Sequence, residues 1–169
     1  MSIFQEPAGG QNNPIKFTDV DGNELSTGDD RINVVVLTSR PNIDKARVVG
    51  DRIPDFCLTN AAYRMITVVA FEKNHSRPVR AILSSLMRRR LDGEARRLQA
   101  RYDHLKITRS VRQDVFAVAD FDGSITAQLG SKPEANLFHV FVFGKNGELL
   151  KQWNDAPSAE DLAAALKRD

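Results

Sequence analysis

Four groups of side chains in this sequence are of types that carry chemistry. Cys57 is the only thiol. A thiol becomes a nucleophile as thiolate, which a helix N-terminus or a neighbouring cation stabilises. Cys57 instead comes late in a stretch of helical spacing, between Phe56 and Leu58, where the helix dipole opposes thiolate. It reads as a buried structural residue. Thr38, Ser39 and Arg40 close a β-branched run, and Asn42 and Lys45 open the helical stretch that follows. Hydroxyls, a guanidinium, an ammonium and free helix amides at a strand tip are the parts of an anion pocket. The plainer reading of the same residues is a loop with a helix cap. A serine nucleophile would need a base, yet His75, His104 and His139 fall on other elements and show no Ser-His-Asp spacing.

Asp120-Phe121-Asp122-Gly123 begins like a cation loop, but Ser124 to Gly130 supply no further carboxylate. A strand-ending turn is expected there, and the sequence asks for no metal and no cofactor. The fourth group is basic. From Arg77 to Arg112 ten arginines and Lys106 face only Asp92, Glu94 and Asp103, a local charge of about +8 in a chain of net +2. An inner stripe of Leu83, Leu86, Met87 and Leu91 turns Arg88, Arg89, Arg96 and Arg97 outward, with Arg101 on the same helix. Such a face attracts anionic partners, or is simply solvated. Nucleic-acid binding calls for stacking aromatics, and Tyr102 stands alone on the inner stripe, so a protein partner or a second copy ranks above nucleic acid.

The elements that position these groups follow from hydrophobic period and punctuation. Ile15–Thr18 and Glu24–Ser26 flank a turn at Asp21-Gly22 and read as a hairpin. Continuous apolar runs at Ile32–Thr38 and Met65–Phe71 predict strands covered on both faces. Val115–Ala119, Leu137–Phe143 and Glu148–Trp153 predict three more, the last two joined through Gly144-Lys145-Asn146-Gly147 with its positive-φ positions. Helical spacing runs from Ile43 to about Tyr63, with Pro54 expected to kink or split it. It resumes from about Arg77 to Leu105, inner stripe Val79, Ile82, Leu83, Leu86, Met87, Leu91, Ala95, Leu98, Tyr102 and Leu105, with Gly93 weakening it where a bend is expected. A final helix opens at Pro157-Ser158, with Asp161 placed for a capping box.

At 169 residues, 41% hydrophobic and 27% charged, the chain suits one globular domain. Residues 1–14, rich in Gly, Asn, Gln and Pro, read as a flexible arm ahead of a domain at 15–169. No apolar run approaches the roughly 18 residues of a membrane span. Met1–Pro7 lacks the blocks of a secretory signal, so a cytoplasmic setting is the default and a periplasmic one the alternative had a leader been removed. One cysteine excludes an intrachain disulfide.

The element order, with three local signatures, resembles the thioredoxin-like fold in its peroxiredoxin and thiol-disulfide-oxidoreductase branch. Phe17–Leu25 is similar to that branch's N-terminal hairpin, Asp120–Gly130 to its segment after the third core strand, and Val140–Leu149 to its final hairpin. The resemblance implies an α/β sandwich: a central mixed sheet, helices on both faces and an N-terminal hairpin. It also implies a Cys-x-x-Cys at the start of the first helix. Those slots fall near Asn42 and Lys45 counted from the strand end, or near Ala46 and Val49 counted back from Pro54, and neither pair holds a cysteine. The facing cis-proline is replaced by Phe138. A narrower likeness is to the YtfJ-type proteins, through the absent proline, the Lys145-Asn146-Gly147 hairpin and Trp153-Asn154-Asp155. The expected role is a redox-inactive binding or scaffold protein using the surface around Ser39, Arg40, Pro41 and Phe138. Two alternatives stand beside it. One is an enzyme with a non-thiol anion site at Ser39, Arg40 and Lys45; the other is an anion or nucleic-acid binder through the 88–101 arginines.

Overall fold

The computed structural model describes residues 13–167; the expected arm, 1–14, lies outside the described residues except for its last two positions. A hairpin of β1 (Lys16–Thr18) and β2 (Glu24–Ser26) comes first. Asp19 ties its turn: its Oδ1 accepts from the amides of Asp21 and Asn23 at 3.0 and 2.7 Å. Five further strands form one sheet: β3 (Ile32–Ser39), β4 (Tyr63–Ala70), β5 (Val115–Asp120), β6 (Phe138–Phe143) and β7 (Leu149–Trp153), ordered β5-β4-β3-β6-β7. β3, β4 and β5 run parallel, while β6 and β7 return antiparallel. β3 is central, and all eight of its residues are buried, as its unbroken β-branched run requires. Each fully buried valine or leucine there contributes about 1.5–3 kcal/mol.

Alternation along β3 divides the core into two. Val34 and Val36 face α1 (Asp44–Arg52) and α5 (Ala159–Leu166), meeting Ala46, Val49, Leu162 and Leu166. Val35 and Leu37 face the hairpin and the loop after β5, meeting Phe17, Leu25 and Leu129. The long α3 (Arg77–His104) crosses from β4 to β5 on the α1 side, where Met87 packs on Val69 and Ala117. Right-handed crossovers put α1 and α3 on one face together. No helix among the described residues is long and apolar enough to cross a membrane.

Several expectations need correction. The helical stretch after β3 stops at Leu58, short of Tyr63, and is split at Pro54 as expected: a single 3-10 turn at Arg40–Asn42, then α1, then α2 (Asp55–Leu58), with extended backbone at Ile53 and Pro54. Gly93 does not interrupt α3. The α3 stripe is not all inward: Met87, Ala95 and Tyr102 are buried, whereas Val79, Ile82 and Leu86 are 39%, 61% and 52% exposed. In the β6–β7 connection only Gly147 takes positive φ, at 84°. Asp120–Gly123 is more than a turn, because it opens α4 (Ser124–Gln128). Asp122 accepts from the Ser124 amide at 3.0 Å, and buried Asp120 accepts from the Thr126 amide and hydroxyl at 2.8 and 2.6 Å. Among the described residues no three His, Cys, Asp or Glu side chains converge as metal ligands.

Candidate functional site

The strand-tip residues are largely committed to holding the fold. Thr38 is fully buried and donates its hydroxyl to the Ser39 carbonyl at 2.9 Å. Ser39 is 2% exposed and donates to the Ala135 carbonyl at 2.8 Å, which uses the proton a nucleophilic serine would pass to a base. Asn42 donates to the Leu137 carbonyl at 3.4 Å. Phe138 is 3% exposed and belongs to the core, so it does not line a surface as expected. Arg40 and Pro41 remain exposed.

Arg40 and Lys45 diverge. Arg40 leans toward β4, its guanidinium 5.8 Å from the Phe71 ring. Lys45 leans toward β6, 5.4 Å from the Phe138 ring and 3.5 Å from an Asp155 oxygen. The Ala156 amide first, and then Lys45, holds the Asp155 carboxyl below its ordinary range. Ser39, Arg40 and Lys45 therefore do not converge on one anion. An open depression of about 510 Å³ is centred on Arg40, Pro41, Phe71, Glu72, Lys73 and His75 instead. Phe71 stacks on Phe121 at 4.8 Å, with the His75 ring edge-on to both and Arg80 over Phe121 at 5.3 Å. Sequence reasoning missed this aromatic cluster, because Phe71 was read as the end of a buried strand and Phe121 as part of a turn, and both lie one residue beyond β4 and β5.

Of the two thiol registers, Asn42 and Lys45 are the pair that meets the Leu137–Phe138 segment. Ala46 and Val49 lie in the core. No cis peptide occurs among the described residues. Cys57 is in α2, 2% exposed among Val34, Ile53, Met65 and Leu166. Burial pushes its thiol up to about 12, and the Arg101 charge only partly offsets that. The main raising cause is desolvation, in keeping with the buried structural residue expected from sequence.

The basic face is mostly an inter-helix ladder. Asp44 pairs with Arg90, Arg47 donates to Glu94 at 2.9 Å, Asp51 pairs with Arg97 at 2.7 Å, and Asp55 with Arg101 at 2.7 Å. Arg101 also donates to the Ile53 carbonyl at 2.6 Å. Arg88 donates to the Val20 carbonyl at 2.8 Å and lies 3.2 Å from Asp21. Arg88, Arg97 and Arg101 are therefore not the free outward charges expected. Arg89 and Arg96 are exposed and make no ion pair among the described residues.

No protein-family model matches this sequence, and no curated protein matches it. Solved structures do. The exposed lipoprotein thioredoxin of Streptococcus pneumoniae superposes with a TM-score of 0.56 at 14% identity, over 92% of this chain and 98% of that one. The fold is thioredoxin-like. A DsbF homologue from Corynebacterium diphtheriae gives 0.54 at 13% identity, covering 98% of both chains. StoA from Bacillus subtilis gives 0.53 at 11% identity, covering 94% of this chain and all of that one (100%). In the thioredoxin-like frame the depression at Arg40 lies outside the carboxyl ends of β3 and β4, where parallel sheets place ligands.

Proposed function

We propose that this chain is a thioredoxin-like binding module without thiol-disulfide activity, engaging a partner at the strand-tip end of the sheet. The observation that carries the reading is the placement of the one thiol. Cys57 is in the core, while Asn42 and Lys45 occupy the positions that meet the Leu137–Phe138 segment. Exchange chemistry needs an accessible thiolate, and a buried thiol raised by desolvation opposes both requirements. The structural neighbours named as thioredoxins or disulfide oxidoreductases share the frame; the reading here is that the frame is kept and the chemistry is not. The likeness to the YtfJ-type proteins, also without the thiol pair, fits it. Such a role uses no disulfide and makes no demand on the redox state of its compartment, cytoplasmic or periplasmic.

What remains at the strand tips suits recognition. Arg40 and Pro41 are exposed beside an aromatic cluster, and Glu72, Lys73 and His75 supply both charges and a ring. The test is turnover. Insulin reduction and peroxide consumption by the full chain are expected to stay at the uncatalysed rate, and activity lost in Cys57→Ser would overturn the reading.

A further inference from the structure

Between Arg77 and Leu91 the chain has five arginines and no carboxylate. The same segment of α3 exposes Val79, Ile82 and Leu86 at 39%, 61% and 52%, spaced i, i+3, i+7 on one side of the helix. Sheet and α1 leave this stretch uncovered for a geometric reason. The ladder between the two helices begins at Asp44 and Arg90, so α1 covers α3 only from there toward its C-terminus. Leu83 joins Ile43 and Phe71 in one apolar cluster, which makes the exposed stripe border the segment carrying Arg40 and Pro41. Arg89, less than one turn past Leu86, borders the stripe, and Arg96 lies almost three turns past it; neither makes an ion pair among the described residues.

The chemistry of the flanks selects the occupant. A second copy related by a two-fold axis would set arginine against arginine. A bilayer surface would accept the arginines, but the stripe is only about 10 Å long and carries no aromatic anchor. Side chains at i, i+3 and i+7 form the ridge that a second helix packs against. We infer that the exposed side of α3 from Val79 to Arg96 docks an amphipathic, acidic helix of a partner protein, whose aliphatic face covers Val79, Ile82 and Leu86 and whose carboxylates pair with Arg89 and Arg96. This rests on the binding-module reading and names the class of partner.

The test is fluorescence anisotropy of the full chain with a labelled 18-residue helical peptide, leucines at i, i+3, i+4 and i+7 and glutamates elsewhere. Saturable binding is expected. Ile82→Glu should weaken it at least about tenfold, and Arg89→Glu with Arg96→Glu should weaken it similarly and flatten its salt dependence. Arg97→Ala, which touches only the ladder, should leave the affinity within about twofold. Urea melts confirm that each variant is folded. No saturation by 500 µM peptide, equal binding of a lysine-for-glutamate peptide, or an affinity indifferent to Ile82→Glu overturns the inference. So does retention on phosphatidylglycerol vesicles without peptide binding, or a dimer that Ile82→Glu dissociates. Insulin turnover would sink the parent reading whatever the peptide does, whereas a blank insulin assay with no peptide binding sinks only this inference.

Discussion

Cys57 gives the sharpest numerical test, because one atom reports on both chemistry and packing. Its residue is 2% exposed, and burial moves the thiol from about 9 up to about 12. At any pH below 9 that displacement lowers the thiolate fraction about 1,000-fold relative to an ordinary cysteine. Iodoacetamide at pH 8 should therefore modify the native protein at least about 1,000-fold more slowly than the chain in urea. Since the reagent must also wait for the core to open, the native rate should climb with the unfolding equilibrium as urea is added. The same displacement has a thermodynamic side. Below pH 9 the thiol is protonated in both states and contributes no pH dependence. Between 9 and 12 only the unfolded chain ionises, so stability falls as pH rises, by about 1.4 kcal/mol per unit. At pH 10.5 the loss is about 2 kcal/mol, present in the parent protein and absent from Cys57→Ala. Tyr102, raised by burial, adds an alkaline loss that the two proteins share and that cancels in the comparison. Tyr63 is raised first by burial and then by the charge on Cys57, so its loss is smaller in Cys57→Ala and widens the difference. Modification within seconds at neutral pH, or identical alkaline slopes for the two proteins, would refute the reasoning.

Other outcomes follow from single contacts. Tyr102 is 1% exposed and donates to Asp114 at 2.6 Å, so Tyr102→Phe should cost about 1.5–3 kcal/mol in urea unfolding, with Arg109 left holding the carboxylate. Gly147 has φ 84°, and an added Cβ would lie 3.4 Å from the Thr27 hydroxyl; Gly147→Ala should lose about 1–2 kcal/mol of stability. A double-mutant cycle on Asp51 and Arg97 should give less than about 1 kcal/mol, falling toward zero at 1 M salt, because both side chains are partly exposed. Ile82→Gln should change stability by less than about 0.5 kcal/mol, which separates a surface stripe from a core one.

The sheet was legible because β3 carries Val34–Leu37 and β4 ends on Val68–Ala70, apolar on successive residues, which suits a strand covered on both faces. The split at Pro54 was legible too, since proline cannot continue the amide ladder. α3 was legible as a helix but not as to which sides it buries. Val79, Ile82 and Leu86 share the three-and-four spacing of the packed residues, yet the sheet covers one side only and α1 starts too late to cover the other. Phe138 looked like a surface residue because the proline it replaces faces substrate in related folds; here its ring turns into the α1 and α5 core. The arginines were visible and their partners were overlooked. Asp44 and Asp51 in α1 and Asp55 in α2 are spaced as Arg90, Arg97 and Arg101 in α3 are, a match between elements that period analysis within any one of them does not reveal. α4 was missed because five residues behind Asp-x-Asp-Gly look like a turn until Asp120 and Asp122 are seen capping them.

Beneath the ladder, α1 and α3 do not close on each other over the sheet. A crevice of about 90 Å³ remains, lined by Ile43, Ala46, Gly50, Leu91, Leu98 and Ala117. At Gly50 an added Cβ would meet the Met65 sulfur of β4 at 3.7 Å, a contact with the sheet and not with α3. Two helices joined by paired charges over unfilled space behave unlike two that interlock. The paired charges between them weaken as dissolved ions screen them, and their desolvation costs less as temperature rises. The seam is a joint whose stiffness the surrounding electrolyte sets.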